Sequence, residues 1–291
     1  MVRRRNRAAY VFLAPFLILF AGFFLFPIIY AFGMSLFASR GLTSIFVGWN
    51  NYALAFHDGD FWFSIVRMIY FGVIQVTVML LLALILALLL DSPLAHAQGF
   101  YRLLYFLPYA VPGVVGAIIW AYLYSPNTGP LQAIVNGAGL HLSLLSSDVI
   151  LYSIMVIVTW AWTGYNMTLY NAGLASISPD LYEAARIDGA GEFWIAVRIK
   201  VPLLRPLVVL TAVLSIIGTL QLFNEPYILA SLTAIPSTFT PNLDIYNTAF
   251  SFGSFNYSAT LAIILTAITF AASYLFLFLT GRGQEEGLAW Q

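Results

Sequence analysis

Six apolar runs, at residues 8–37, 63–90, 103–124, 149–175, 204–232 and 259–280, account for most of the chain. Each reaches the ~20 residues that a helix rising about 1.5 Å per residue needs to cross a ~30 Å hydrocarbon core. Lipid offers backbone groups no partners, and a helix satisfies its own N–H and C=O groups internally. The runs therefore predict an all-α membrane protein with six transmembrane helices. Only 8% of the 291 residues are charged, against about 25% in a soluble domain. Arg3, Arg4, Arg5 and Arg7 precede the first run. That run is about twice the ~7–15 residues of a signal-peptide core and lacks a small-residue cleavage site, so it reads as an uncleaved helix, kinked at Pro15 and Pro27. The absence of cysteine excludes a disulfide framework and thiolate metal sites.

The few charges are unevenly placed. With six spans, one side of the membrane receives both termini and the connections 91–102, 177–203 and 281–291. That side carries Arg3, Arg4, Arg5, Arg7, Arg102, Arg186, Arg198, Lys200, Arg205 and Arg282, whereas the opposite connections, 38–61, 125–148 and 234–256, carry Arg40 alone. The positive-inside rule then puts both termini in the cytoplasm. The opposite connections read as solvated loops, with Pro126, Asn127, Gly129 and Gly137 as turn formers in the second. Three regions follow: 1–62, with the first span and an outer loop; 63–281, a five-helix core; and 282–291, a polar tail. Arg67, near the outer end of the second span, reads as an interfacial anchor that snorkels.

The polar stretch 177–203 interrupts the core. Ser178, Pro179 and Asp180 read as an N-cap, a first-turn proline and an acid at the positive end of a helix. Gly189 and Gly191 then break it, a second helical run covers 192–200, and Pro202 and Pro206 mark the start of the next apolar segment. Glu183-Ala184-Ala185, three residues, Gly189, nine residues, Ile199, one residue and Val201-Pro202 resemble the EAA loop of permease subunits of binding-protein-dependent ABC importers. Ala172-Gly173-Leu174, Ile177-Ser178-Pro179 and Arg186 to Ala190 resemble the carbohydrate-importing branch, of the maltose and glycerol-phosphate permease type. Val201 stands where the family has leucine, an apolar exchange. The resemblance implies the type I ABC importer permease fold and a coupling helix at 183–189 that sits in a groove of an ATPase. Glu183 would pair with a basic residue there, Ala184 and Ala185 would permit close approach, and Asp188, Gly189, Ile199 and Pro202 complete the motif. It further implies a second homologous permease, a dimer of ATPase subunits and an extracytoplasmic sugar-binding protein.

The chain has no ATP site of its own. A phosphate-binding loop ends in Gly-Lys-Ser/Thr, and the only lysine, Lys200, follows Ile199. ATP and magnesium are thus expected on the partner ATPase, with no cofactor in this chain. His57, His96 and His141 lie in three separate connections, which predicts no metal site. No nucleophile elbow or paired carboxylates point to an enzyme.

Polar groups inside apolar runs are costly and mark functional positions. Gln221, Asn224 and Glu225 precede Pro226, which removes a backbone donor and is expected to break the fifth helix. Trp160, Trp162, Tyr165 and Asn166 fall near the middle of the fourth span, where aromatic faces beside amides suit a sugar. The branch has Phe-Asp where this chain has Phe223-Asn224, and there that stretch lines the translocation path. Tyr165, Asn166, Gln221, Asn224 and Glu225 are accordingly the expected path residues. Structural hydrogen bonding between helices is the alternative for Gln221 and Asn224, and interfacial anchoring for the tryptophans. The function implied is ATP-driven import of a sugar or oligosaccharide. The alternatives are a permease for another solute, such as glycerol phosphate, and an ion-coupled secondary transporter using Glu225.

Overall fold

The structure is a computed structural model that describes residues 2–40, 43–93, 95–140 and 142–288. His141 and residues 289–291 of the expected tail lie outside the described residues. The chain forms two compact units, one of residues 1–62 with 244–268 and one of residues 63–243 with 269–291.

In the first unit, α1 (Val2–Phe20) and α2 (Phe26–Ser35) are joined by a π-helical turn at Ala21–Leu25. Pro27 follows that turn. A proline has no N–H for the carbonyl four residues back, and its ring crowds that carbonyl, so a wider turn ahead of it relieves both problems. No comparable break accompanies Pro15, which lies within α1. The expected solvated loop at 38–61 is instead structured. It holds an antiparallel ribbon of β1 (Phe37–Arg40) and β2 (Thr43–Phe46), with Phe37 opposite Phe46, followed by α3 (Asn50–Phe56). β-branched and aromatic residues favour the ribbon, and Asn51 fastens it by donating from Nδ2 to the carbonyls of Ser35 at 2.8 Å and Phe37 at 2.7 Å.

The second unit begins in α4 (Gly59–Leu90). It continues through α5 (Gln98–Ala110), α6 (Gly113–Leu123), α7 (Pro130–Gly137) and α8 (Ile150–Ala175). Next come α9 (Pro179–Ile187), α10 (Glu192–Ile195), α11 (Val201–Leu220) and α12 (Asn224–Leu229). α13 (Pro241–Tyr246) and α14 (Phe255–Leu288) each divide between the units. The connections at 125–148 and 234–256, expected as loops, thus contain α7 and α13, and the end of the chain expected as a polar tail continues α14 to Leu288. Met68 and Phe71 of α4 pack with Ile154 and Ile157 of α8 and with Leu220 and Leu229 in one core. A second core gathers Ala83, Ala87, Met167, Tyr170, Leu174 and Leu204.

Four helical segments among the described residues are long and apolar enough to cross a membrane: Tyr10–Ser35, Gly59–Leu90, Glu192–Leu229 and Phe255–Thr280. The expected third span is a pair, α5 and α6, bent by 95°. Val111, held extended by the following proline, and Pro112 as N-cap of α6 make that corner. α8, with 26 residues, is long enough for the sixth. Its Trp, Tyr, Thr and Asn side chains keep it out of the apolar set.

Pro202 stands in the first turn of α11, where the next apolar segment was expected to begin, and α10 reaches it without a break through a π turn at Ala196–Lys200. Two further expectations need correction. The fifth span is broken at residues 221–223, ahead of Pro226, which occupies the first turn of α12 where no N–H is required. Arg67 does not snorkel. It donates to the carbonyls of Phe239 at 2.9 Å and Thr238 at 3.3 Å and lies over the rings of Phe63 and Phe239, so it clasps the connection after α12.

Candidate functional site: a path cavity and a coupling loop

The break between α11 and α12 opens one cavity of about 200 Å³. α11 ends at Gln221, whose N–H returns to Ile217 at 3.2 Å, and Phe223 turns the chain into α12. All five expected path residues, Tyr165, Asn166, Gln221, Asn224 and Glu225, line this cavity. Glu225 is buried, at 9% exposure, in the first turn of the short helix. Asn224 stands beside the start of α6, where a Cβ on Gly113 would come within 3.2 Å of its Nδ2.

α8 supplies the aromatic wall. Trp162 and Tyr165 line the cavity, while Trp160 turns away to meet Trp120 edge-on at 5.6 Å in a separate apolar groove. Tyr109 of α5 stacks on Tyr165 at 4.6 Å and meets Trp162 edge-on at 5.2 Å. That stacking depends on Gly164, which brings the backbones of α5 and α8 together. A Cβ there would lie 1.7 Å from the carbonyl oxygen of Tyr105. Sequence reasoning missed Gln75 of α4, which also lines the cavity and is 1% exposed. An amide in the middle of an apolar run was the available signal.

The stretch 177–203, the expected coupling loop, is built as its residue types require. Ser178 caps α9 with its side chain accepting from the Asp180 N–H at 3.4 Å. Gly189 adopts φ +85°, a conformation open to glycine, and closes the helix with paired bonds from Gly189 N–H to Arg186 O and from Ala190 N–H to Ala185 O. Arg186 Nε donates to Glu192 at 2.9 Å, tying α9 to α10. Ala184, Ala185, Asp188, Gly189 and Ile199 surround an open depression of about 570 Å³, with Trp194 on its rim. Glu183 lies on an exposed part of α9 outside that lining, and its carboxylate has no partner among the described residues. Pro202 also lies outside it. Ile187 and Phe193 are 86% and 83% exposed, an apolar face presented by an otherwise polar loop.

Beneath the loop is a group that no motif announced. Lys200, 5% exposed, donates from Nζ to Asp91 Oδ2 at 2.6 Å and sits 5.0 Å from the ring centre of Tyr182. The residue counted among the cations of the cytoplasmic side is thus a buried tie among the end of α4, α9 and the root of α11. Burial and the charge of Asp91 raise the pKa of the Tyr182 hydroxyl.

A cavity at the break of a discontinuous span marks a solute-translocating membrane protein rather than a membrane-anchored enzyme. The chain belongs to the family described as the binding-protein-dependent transport system inner membrane component, whose model matches residues 79–282. It is 34% identical to the lactose transport system permease protein LacF of Rhizobium radiobacter, over 91% of both chains. It is 31% identical to the sn-glycerol-3-phosphate transport system permease protein UgpA of Agrobacterium fabrum, over 94% of both. In fold it is similar to a chain in the crystal structure of a bacterial ABC transporter involved in the import of the acidic polysaccharide alginate, with a TM-score of 0.82, 20% identity and 96% of each chain covered. The protein is therefore a multi-pass permease subunit of the type I ABC importer fold, a transport component and not an enzyme.

Proposed function

We propose that this subunit carries a sugar or oligosaccharide across the cytoplasmic membrane as half of an ATP-driven importer, with its path at the α11–α12 break. The observation that carries the reading is the convergence of an aromatic wall, amides and a carboxyl on one cavity. Aromatic faces suit the C–H face of a pyranose, and amides suit its hydroxyls. The lactose permease relative supports the same class of cargo. Replacing Asn224 by leucine removes a partner for a desolvated hydroxyl while leaving the helices room to pack. Uptake per assembled complex in proteoliposomes should then fall at least about tenfold, the cost of a lost polar contact, with basal ATPase activity and assembly retained. Wild-type uptake per complex would return Asn224 to a structural role.

Importing work requires partners. A second permease closes the path, a dimer of ATPases supplies ATP and magnesium chemistry, and an extracytoplasmic binding protein delivers the sugar. The exposed Ile187 and Phe193 beside the unpaired Glu183 support α9–α10 as the surface that meets the ATPase. Glu183→Ala should leave the subunit in the membrane and weaken ATPase co-purification by about 2 to 5 kcal/mol if the pair it forms is desolvated. Unchanged co-purification and transport would remove the coupling role. The arginine distribution supports cytoplasmic termini and loop 177–203. An alkaline-phosphatase fusion after Gly137 should be active and one after Ala190 inactive, and the reverse pattern would invert the orientation.

A further inference from the structure

Resting on that reading of the cavity, we infer that the wall built by this chain selects a neutral saccharide against an anionic one, with Glu225 as the specificity-determining residue. The names of the relatives leave the charge open, since lactose is neutral and glycerol phosphate is not. The cavity itself is asymmetric in its charge. Gln75 directs its Nε2 to Thr159 Oγ1 and Met79 Sδ, both at 3.4 Å, and its Oε1 is buried without a partner among the described residues. Asn166 donates from Nδ2 to the carbonyl of Trp162 at 3.0 Å, leaving its amide oxygen for the cavity. Glu225 adds a carboxyl, and no lysine, arginine or histidine lines the cavity among the described residues. Trp162, Tyr165, Gln221 and Asn224 add neutral donors, so the carboxyl of Glu225 is the one carboxylic acid on this wall among the described residues.

A neutral sugar brings hydroxyl donors to the carboxyl of Glu225 and the amides of the wall without adding a charge. An anion brings further acceptors and a charge. With Glu225 ionised the two charges repel at close range. With Glu225 protonated, the anion would still leave water for a cavity without a counter-charge on this side. Both states disfavour it.

Methyl β-glucoside and methyl β-glucuronide differ by one carboxylate and form the test pair. Their binding to the assembled complex in lipid nanodiscs at pH 7.5, without binding protein, is read by saturation-transfer NMR. The wild-type complex should bind the glucoside, and Asn224→Leu should lose that signal, which locates it in the cavity. The glucuronide should bind at least about tenfold more weakly, and Glu225→Gln should narrow that gap by the part that repulsion from the ionised carboxylate contributes, leaving the cost of taking an anion out of water without a counter-charge. Glu225→Ser serves the same purpose if the glutamine variant does not assemble. Equal binding of the two probes, a gap unchanged by both substitutions, or no binding of the glucoside would overturn the inference. The transport reading falls separately, on wild-type uptake by Asn224→Leu.

Discussion

Asp91→Asn should destabilise the subunit by about 3 to 5 kcal/mol, the usual consequence of stranding one member of a buried ion pair. Lys200 is the more deeply buried partner, at 5% exposure, so the change leaves its ammonium with a neutral amide oxygen and the face of Tyr182 in place of a counter-charge. Lys200→Met should cost less, because the charge it leaves behind, on Asp91, is partly exposed. The double replacement Asp91→Asn with Lys200→Met should recover much of the loss, since it buries no charge. Thermal unfolding of the purified complex for the four proteins closes the cycle. Strict additivity of the single changes would show that the 2.6 Å pair carries no interaction energy. Transport should suffer with stability, because the pair joins the root of α11 to the end of α4, with Tyr182 of α9 over the ammonium.

Gly164→Val should prevent assembly, and Gly164→Ala should impair it severely. The obstacle is the backbone of α5, since the new Cβ would lie 1.7 Å from the Tyr105 carbonyl oxygen and no rotamer relieves that. Overpacking a core with a side chain as neighbour costs about 1 to 3 kcal/mol, and here two helices would have to separate instead. Their separation would also remove Tyr109 from Tyr165 and dismantle the aromatic wall. The yield of monodisperse complex after detergent extraction measures the first effect. Any alanine variant recovered should show altered fluorescence from Trp162, which Tyr109 now meets edge-on. Normal yield and transport by Gly164→Ala would contradict the close crossing of α5 and α8.

What could be read from the sequence were the features that act locally. Ser178, Gly189 and the spacing of the coupling loop follow from cap and turn chemistry within a few residues. Glu225, Asn224 and Gln221 stood out because polar groups are expensive in an apolar run, and the cavity that gathers them forms where the expense is relieved. Trp160 shares the type and neighbourhood of Trp162 yet faces another groove, since side-chain direction on α8 is set by packing. The partner of Lys200 lies 109 residues away, and the need for glycine at 164 arises from a helix crossing. Neither has a local signature. The 95° corner has only a partial mark in the sequence, since Pro108 and Pro112 signal a break in the run 103–124 and not its angle. The ribbon was missed because a mixed, charge-bearing stretch was read as a solvated loop, and α7 because turn-forming residues were, although such residues equally bound short elements.

The π turns ahead of Pro27 and Pro202 bear on how this chain tolerates changes in length. A π turn holds one residue more than an α turn. Deleting a residue inside Ala21–Leu25 or Ala196–Lys200 therefore restores ordinary pitch and keeps the faces on either side in phase. The same deletion elsewhere in a span rotates everything beyond it by about 100° and turns buried faces toward lipid. Alignments of related permeases should place their single-residue gaps in these helices at those two turns.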